Sequence, residues 1–450
     1  ASVIADAVAK GYHTDTVLTL EAMRVSAEMD VYGLSPYQEN GFLSIENESE
    51  SVSKTLEYAY DDACIAWTAE RFGDLNMMNR YKQRASAYRS LIDPESGFVR
   101  PRKNGDFLTP YAPQEVNNHF TEANAYQYSF SPVQDIEGWM EVLTNFRASR
   151  EGWNSLSPKK QVGVVKSGQD VLEELLDELF NASSQTTGRE QADITGLIGQ
   201  YAHGNEPSHH IAYLYNTTNN PSKTSYWVNK ILDTQYHNAP DGLSGNEDCG
   251  QMSAWYIMAS IGLYPLVPGQ PHYQLSTPKW EEIQLGLANG KTLEIHSHGK
   301  GPYIHKYDQG VLLETHLKYR YVSHKQLLEG GVWEVERGED SQPWSVSQRY
   351  TTNLNNPTPP APIIRVDRTF SKETQVEIIP TGSYGMWRYN QYENVEWKKD
   401  RKGRKRMGTA YDNGFVTAIT AHYGYGNHMA KAVFTKKDDN YGAEWIQGTP

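Results

Sequence analysis

Cysteine is scarce in this sequence, whose 450 residues include only Cys64 and Cys249, far apart along the chain. A single disulfide between them stays open as an alternative, but we favour two buried thiols. Neither alternative identifies the cellular compartment, because one pair of cysteines is compatible with oxidising and reducing surroundings alike.

Long apolar runs are also missing. No stretch approaches the roughly 18 apolar residues that a membrane-spanning helix needs. The first residues, ASVIADAVAKG, lack the charged start and apolar run of a secretory signal peptide. They are typical of the interior of a helix, so we expect the biological protein to begin upstream of residue 1.

Positive charge is in deficit, since the formal net charge is −13 at pH 7. Such a chain offers no broad basic field to neutralise phosphates, which argues against nucleic acid as a partner. The one basic run, Lys398–Arg406, is interpreted as a solvated turn rather than a binding patch.

The residues that are present indicate a soluble globular protein, with 38% hydrophobic content. A length of 450 residues exceeds what one core usually supports, so we expect two or three domains. Aromatic residues are abundant, with 30 Tyr and 11 Trp. These side chains combine a flat apolar face with a polar group, which suits sugar rings and ordinary core packing equally.

Residues 1–268 are predicted to be mainly helical. Apolar residues recur at helical spacing in segments such as Thr16–Met29, Val52–Phe72 and Lys223–Tyr236. Long loops containing Gly, Asn and Pro join these segments, without the strand–helix alternation of a parallel α/β fold. The pattern predicts a helical barrel or array.

Residues 269–356 are predicted to be rich in β-strands, because alternating apolar and polar residues are separated by turns such as Asn289-Gly290. A linker rich in Pro and Asn, Leu354–Pro362, leads into a further β region at 357–450. The predicted fold class is therefore mainly α, followed by antiparallel β domains.

The segment Asp241–Pro265 joins a polar loop to a helix predicted from Gln251. Asn246, Glu247 and Asp248 stand in a row in the loop. A carboxylate at a helix N-terminus meets free N–H groups and the positive end of the helix dipole, which favour its ionised form. For a single Asp, a helix cap is a commoner explanation than catalysis.

A second cluster surrounds Glu122, which lies among aromatic residues in the segment FTEANAYQY at 120–128. An apolar surrounding raises the pKa of a carboxyl group and suits it to proton donation. The alternative is simple compensation of the helix dipole.

A third cluster contains Asn205 and Glu206, in the segment YAHGNEPSHH at 201–210. Amide and carboxylate oxygens in such a loop suit a hard cation such as calcium. Zinc is disfavoured, because His209 and His210 are adjacent and lack the spacing of a zinc motif.

Glu122, Glu206 and Asp248 thus each begin a predicted helix. In a barrel of helices, alternate helix starts converge at one mouth. Two carboxyl groups across such a mouth form a general acid and a general base. A separation of about 6.5–9.5 Å admits a water molecule, and hydrolysis then inverts the anomeric centre.

Five segments, in the same order, resemble glycoside hydrolase family 92, whose members are exo-acting, calcium-dependent bacterial α-mannosidases. The resemblance runs from near residue 1 to about residue 285, and more weakly to about residue 335. The segments are ESVSKTLEYAYDDACIA, DPESGFVRPR, FTEANAYQYSF, DITGLIGQYAHGNEPSHHIAYLYN and GNEDCGQMSAWYIMASIGLYPLVPG.

The resemblance implies an N-terminal β-sandwich followed by an (α/α)6 barrel. This chain is expected to begin inside the barrel, without the sandwich and the earliest barrel helices. Since the family's site lies where sandwich meets barrel, we expect the missing sandwich segment to be a partner of the site. From Pro360, the sequence is similar to small β-sandwich modules of bacterial hexosaminidases, which implies a spacer or packing module.

The resemblance also implies roles for individual residues. Glu122 matches the general acid, with Glu206 as the alternative, and Asp248 matches the general base. Asn205 and Glu206 match the calcium site, where Ca²⁺ would hold the O2 and O3 hydroxyls of mannose. Substrate or base would be oriented by Asn246, Glu247, His203 and Trp255.

The implied function is a calcium-dependent, inverting exo-α-mannosidase that hydrolyses terminal α-linked mannose of glycans or mannans. The implied location is secreted, periplasmic or at the cell surface of a bacterium. Gln134 stands where the family has a histidine that could contact sugar, and Tyr126 where a Trp is usual. These departures keep open a non-catalytic or altered-specificity carbohydrate-binding member of the fold. Another inverting (α/α)6 enzyme, such as a glucosidase or a disaccharide phosphorylase, is the third alternative.

Overall fold

The computed structural model describes residues 1–94, 96–150, 167–308, 320–341, 349–355, 357–379, 386–397, 406–421 and 427–436. The basic run Lys398–Arg406 lies outside these ranges except for its last residue, so its interpretation as a solvated turn stays a prediction. Among the described residues, no helix has the length and apolar character needed to span a bilayer.

The first part of the chain is mainly helical, as the spacing of its apolar residues predicts. Short 3-10 turns at 87–90, 133–135, 206–208 and 211–217 interrupt the α-helices. The α-helices are α1 (Ser2–Ala9), α2 (Thr16–Ala27), α3 (Leu34–Asn40), α4 (Ser51–Phe72), α5 (Leu75–Arg84), α6 (Ala125–Tyr128), α7 (Ile136–Arg150), α8 (Gly168–Asn181), α9 (Ser222–Thr234) and α10 (Gln251–Ile261).

Helix α4 lies at the centre of this region and contacts α1, α2 and α5. Its buried residues, including Leu56 and Ala63, follow helical spacing, and Gly73 ends it in a left-handed conformation. Cys64 is buried in α4, whereas Cys249 is exposed, and the two form no disulfide. The expectation of two buried thiols is therefore wrong for Cys249, which stands in a solvent-facing loop.

The helix predicted at 120–128 is shorter in the structure, where α6 begins only at Ala125. Asn124 caps it, and its side chain and that of Gln127 form a capping box. Glu122 has a φ of 52°, which is incompatible with a right-handed helix. Local cap chemistry therefore overrides the apolar periodicity on which the longer helix was predicted.

Short strand pairs lie within the helical region, and two sheets follow it. The short strands are β1 (Arg102–Lys103), β2 (Asp106–Phe107), β3 (Glu115–Val116), β4 (Thr187–Gly188), β5 (Leu197–Ile198) and β6 (Tyr201–Ala202). The next elements are β7 (Leu263–Tyr264), β8 (His272–Leu275), β9 (Glu282–Gly286), β10 (Thr292–Gly299), β11 (Tyr303–Asp308), β12 (Tyr321–Ser323), α11 (His324–Glu329) and β13 (Gly331–Gly338).

The two sheets after the helical region have the orders β12-β8-β7 and β11-β13-β10-β9. Their pairs are antiparallel apart from β10 and β13, which run parallel. The region predicted as antiparallel thus contains one parallel pair. Alternate residues of β10 and β13, such as Ile295 and Val335, fill the core of this region.

The last part of the chain is a β-sandwich with sheet orders β14-β16-β19-β18 and β15-β21-β20-β17. Side chains from both sheets, such as Ile378 and Val416, belong to the same buried cluster as the helical region. The strands are β14 (Ile363–Arg365), β15 (Thr369–Phe370), β16 (Thr374–Ile379), β17 (Met386–Tyr392), β18 (Val395–Trp397), β19 (Arg406–Ala410), β20 (Gly414–Ala421) and β21 (Asn427–Lys436).

The order of a helical region followed by largely antiparallel β regions confirms the predicted fold class. The domain boundaries at 268/269 and 356/357 stay predictions, as does a closed (α/α)6 ring of helices. The change from helix to strand falls at Leu263, and the sandwich begins at Ile363.

The described residues of the segment predicted as a linker form a strap along the helical region, in which most are buried and Asn355 is exposed. Leu354 and Thr358 are 2% and 1% exposed. The backbone N–H of Leu354 donates to Asp135, and that of Thr358 donates to the hydroxyl of Ser86. A second hydroxyl, that of Ser90, accepts the N–H of Ala361. A composition rich in Pro and Asn therefore does not imply a solvated linker where helix-end hydroxyls supply acceptors.

The sandwich is held against the helical region by polar groups that are themselves buried. Arg102, 1% exposed, donates to the carbonyl oxygen of Pro362 at 2.7 Å. His428 of β21 lies 3.2 Å from the hydroxyl of Ser90. A Cβ atom on Gly41, which follows α3, would collide with the His428 ring. These contacts agree with the expected packing role of the C-terminal module.

Asp135→Asn should destabilise the protein by about 3 kcal/mol, because it leaves the buried Arg89 without a full counter-charge. The fully buried Asp135 carboxylate accepts from the Tyr88 hydroxyl at 2.7 Å, from Arg89 at 3.2 Å and from the N–H of Leu354 at 3.0 Å. Urea unfolding of parent and variant measures the difference.

Asp233→Asn is the matched control, since it removes an exposed carboxylate that pairs with Lys279 at 3.0 Å. We expect it to change the free energy of unfolding by less than about 0.5 kcal/mol. Equal effects of the two variants would contradict the central role of Asp135.

Candidate active site

Three loops bring the carboxylates of Glu122, Glu206 and Asp248 together. Partial desolvation of the Glu206 carboxyl group raises its pKa although the residue is exposed, and the negative charges of Asp248 and Glu122 raise it further. None of the ion pairs among the described residues joins these three carboxylates to a cation. The cluster therefore carries uncompensated negative charge, and all three side chains are exposed.

Two of the three residues have a strained backbone. Glu122 has a φ of 52° and Asp248 a φ of 49°, both in the left-handed region that disfavours residues other than Gly. Each stands two positions before a helix cap, Asn124 for α6 and Gly250 for α10. Such strain costs on the order of 1–3 kcal/mol and is concentrated at functional sites. Both residues are also exposed, so their carboxylates are accessible to solvent.

The loop of Glu122 is fixed from both sides. The N–H of Thr121 donates to the Ser53 hydroxyl of α4 at 2.8 Å. The Asn205 amide donates to the backbone carbonyl oxygen of Glu122 at 3.0 Å. Phe120 is buried whereas Glu122 is exposed, so the apolar surrounding predicted for this carboxyl group is wrong. The aromatic residues of the segment turn into the core and leave the carboxylate facing water.

Asn205 and Glu206 form the second loop. Asn205 is 4% exposed, and its amide nitrogen also lies 3.5 Å from the Glu122 carboxylate. Within the described ranges, no group of three or more His, Cys, Asp and Glu side chains is arranged to hold a metal ion. The amide and carboxylate oxygens of this loop are nevertheless the hard donors that calcium prefers, and the surrounding negative charge favours a cation. The donor chemistry fits calcium as part of a ligand set.

In the third loop, Glu247 rather than Asp248 is bound to the helix start. The Glu247 carboxylate accepts from the backbone N–H of Ser253 at 3.1 Å and from the Ser253 hydroxyl at 3.0 Å. The expectation that Asp248 caps the helix is therefore wrong. Asn246, at the start of this acidic row, donates to Asp193 at 3.3 Å.

Glycines allow the second and third loops to touch backbone to backbone. A Cβ atom on Gly245 would collide with the carbonyl oxygen of Gly204. A Cβ atom on Gly204 would collide with the hydroxyl of Thr195. Close approach of two main chains requires glycine, because any side chain would separate them. Thr195 and Asp193 belong to this framework, although nothing in their own spacing indicated it.

His203 and Trp255 lie beneath the loops rather than on their surface. His203 is 0% exposed, and its ring nitrogens are 2.8 Å and 2.7 Å from the hydroxyls of Tyr201 and Tyr236. Burial holds the pKa of His203 well below its usual value. Trp255 donates to the carbonyl oxygen of His209 at 3.0 Å. Both side chains can support the loop backbone, but they do not face solvent.

The two departures from the family pattern also fall in the interior. Gln134 is 1% exposed and donates to the carbonyl oxygen of Ala85 at 3.3 Å. The Tyr126 hydroxyl donates to Glu178 at 3.0 Å. Position 134, where the family has a histidine that could contact sugar, thus packs inside the helical region in this chain.

Exposed, strained carboxylates from separate loops of a helical region form the type of site that glycoside hydrolases use. A family model described as the glycosyl hydrolase family 92 catalytic domain matches residues 1–339. The chain belongs to this family.

Solved structures and a curated protein are similar to this chain. A family GH92 α-mannosidase from Bacteroides thetaiotaomicron, in complex with mannoimidazole, is 33% identical over 77% of this chain and 44% of its own, with a TM-score of 0.67. A GH92 inverting mannosidase from the same organism is 28% identical over 79% of this chain and 48% of its own, with a TM-score of 0.66. An uncharacterized secreted glycosidase of Arthroderma benhamiae is 24% identical over 321 residues, which are 70% of this chain and 39% of the relative.

The chain therefore spans less than half the length of these relatives.

Glu247→Ala should destabilise the protein by about 1 kcal/mol, because it removes the carboxylate that binds the first turn of α10. Asp248→Asn should change the free energy of unfolding by less than about 0.5 kcal/mol, since its carboxylate caps nothing and Asn tolerates a positive φ. Chemical denaturation of the two variants makes the comparison. A larger loss of stability for Asp248→Asn than for Glu247→Ala would contradict the assignment of the capping role to Glu247.

Proposed function

We propose that this chain carries the catalytic centre of an exo-acting, inverting α-mannosidase that removes terminal α-linked mannose from glycans or mannans. The observation that carries the proposal is the contact among the three loops that bear Glu122, Glu206 and Asp248. The Asn205 amide donates to the carbonyl oxygen of Glu122, and the main chains of Gly204 and Gly245 touch. The two Bacteroides structures support the choice of sugar, since one is described as an α-mannosidase and the other as an inverting mannosidase.

In the proposed reaction, Glu122 and Asp248 act on opposite faces of the sugar. Asp248 takes a proton from a water molecule as the water oxygen forms a bond to the anomeric carbon. The glycosidic C–O bond breaks at the same time, and Glu122 donates its proton to the departing oxygen. Mannose leaves with its anomeric configuration inverted, and both carboxyl groups return to their starting state by exchanging protons with water.

One observation favours Glu206 as a second candidate for the acid. Its pKa is raised by partial desolvation and by the neighbouring carboxylates, which is the direction that favours a proton donor. A cation beside Glu206 would reverse this effect, because a positive charge stabilises the carboxylate. With calcium at this loop, Glu206 becomes a ligand, and Glu122 is left as the acid.

Calcium is part of the proposal, with Asn205 and Glu206 among its ligands. The uncompensated charge of the three carboxylates and the hard oxygen donors of this loop support it. When bound, calcium would supply a positive charge that orients sugar hydroxyls and stabilises the transition state. The chain's own part is to hold Asn205 in place through its bond to Glu122.

Two features of the surroundings also belong to the proposal. We propose that a further β-sandwich covers the three loops, which is supported by the exposure of all three carboxylates. We also propose that the protein is secreted, supported by the description of the Arthroderma relative as a secreted glycosidase.

Glu122→Gln should slow the hydrolysis of mannobioses by about 100-fold or more, because their leaving group needs a proton. Activated aryl mannosides should be affected far less, since their leaving group departs without one. Asp248→Asn should abolish turnover of both substrates, because both need an activated water. Steady-state kinetics of the two variants on matched substrates measures this pattern.

Equal losses of Glu122→Gln on both substrates would remove Glu122 as the acid, and Glu206→Gln would then be tested on the same pair. Substantial residual activity of Asp248→Asn would remove Asp248 as the base. If the parent protein binds mannosides without hydrolysing any of them, the carbohydrate-binding alternative replaces the enzyme.

Chelation of calcium should abolish activity, and added calcium should restore it. Affinity for calcium should fall as pH decreases through the pKa of Glu206, because protons and calcium compete for its carboxylate. That pKa is raised in the metal-free protein, so the fall begins above the usual range of a glutamate near pH 4.3. Isothermal titration calorimetry between about pH 5 and pH 7 measures the effect.

Glu206→Gln is the control for that titration. It should weaken calcium binding and remove most of its pH dependence. A raised pKa in the folded state means that stability without calcium decreases as pH rises through it. Metal-free Glu206→Gln should therefore be at least as stable as the parent above this window. Unchanged activity after chelation would contradict calcium dependence.

A further inference from the structure

A side-chain hydrogen bond joins the loop of Glu206 to the loop of Asp248. His209 lies three residues after Glu206, and Gln251 lies three residues after Asp248. The Gln251 amide nitrogen is 3.3 Å from Nδ1 of His209. The bond therefore connects the two segments that carry the interacting carboxylates.

The direction of this bond is fixed by its surroundings. Nε2 of His209 is 2.9 Å from the carbonyl oxygen of His203, so Nε2 carries the ring proton and donates it. Nδ1 then has a free lone pair and accepts from the amide of Gln251. Burial lowers the pKa of His209 to about 4, which keeps the ring neutral at neutral pH. Both nitrogens of the ring are thus used.

Two further hydrogen bonds accompany this contact: one reaches His209 from Trp255 of α10, and the other ties Gln251 to the loop of Asp248. His209 is 2% exposed, and Trp255 donates to its carbonyl oxygen at 3.0 Å. Gln251 is the first residue of α10, and its N–H donates to the carbonyl oxygen of Asp248 at 3.2 Å. A displacement of either side chain is therefore transmitted to the carboxylate that its loop carries.

We propose that His209 and Gln251 are positioning residues, whose hydrogen bond sets the separation between Glu206 and Asp248. The inference rests on the proposed function, in which Glu206 binds calcium and Asp248 activates water. Neither side chain is required to touch the sugar. The contact acts like the hydrogen bonds behind metal ligands, whose loss typically costs about 10–100-fold in activity or metal affinity.

Gln251→Leu removes the donor and should lower kcat by about 10–100-fold, with a much smaller change in KM. Mannobioses and aryl mannosides should be affected alike, because both depend on the water held by Asp248. Gln270→Leu is the matched control, since it removes another half-buried glutamine outside the three loops. It should leave kcat within about twofold of the parent, as expected for independent sites.

Two substitutions of His209 test its two ring hydrogen bonds one at a time. Each variant lacks the imidazole ring, so each is the control for the loss of the ring in the other. His209→Asn keeps an acceptor near Nδ1 and loses the donor near Nε2. His209→Gln keeps a donor near Nε2 and loses the acceptor near Nδ1. The inference expects His209→Asn to retain several-fold more activity than His209→Gln. A purely structural role of the ring would give equal losses.

A double-mutant cycle completes the kinetic test. Gln251→Leu combined with His209→Gln should lose no more activity than the more damaging single variant, since both remove the same bond. Fully multiplicative losses, or a kcat of Gln251→Leu within twofold of the parent, would overturn the inference.

Hydrogen exchange gives a readout that does not depend on activity. The N–H groups of Gln251 and Met252 bond to the carbonyl oxygens of Asp248 and Glu247. Gln251→Leu should accelerate exchange at these two amides while leaving the end of α10 unchanged. If the parent hydrolyses no mannoside, the proposed function fails, and this exchange still decides the inference: unchanged rates overturn it, and faster rates support it.

Discussion

The close contact between the main chains at Gly204 and Gly245 is the constraint on which the site depends. Without it, the loops of Glu206 and Asp248 would be separated by at least the width of a side chain. Glu122 and Asp248, both with a strained positive φ, are exposed on their loops. The glycine contact thus holds the loops of Glu206 and Asp248 side by side. The hydrogen bond from Asn205 to Glu122 then holds the third loop beside them.

That arrangement places three carboxylates near one another. Their repulsion is unfavourable for folding but favours the proposed binding of a cation. The pKa of Glu206 is raised because partial desolvation and two neighbouring carboxylates disfavour its ionised form. Neutral hydrogen bonds and ring contacts below the loops offset this unfavourable electrostatic energy. His203, hydrogen-bonded to two tyrosines and packed against Trp255, contributes stability there without adding charge.

The sequence predicts the helical region and the three acidic loops well, because apolar spacing and turn residues act locally. Side-chain direction depends instead on contacts made across the fold. Glu122 was expected among aromatic rings, yet the backbone turn at φ 52° exposes it. Capping was assigned to Asp248, whereas the Ser253 hydroxyl lies within reach of Glu247. The His209–Gln251 contact had no local signal, since its partners stand 42 positions apart.

The strap between the helical region and the C-terminal sandwich bears on where the chain can be divided into domains. The backbone N–H groups of Thr358 and Ala361 donate to the hydroxyl groups of Ser86 and Ser90 of the helical region. Shortening the polypeptide at the Pro-rich segment would strip partners from the interior of the part that is kept. The sandwich covers one side of the helical region. Expression of either part alone would expose side chains that are buried between them.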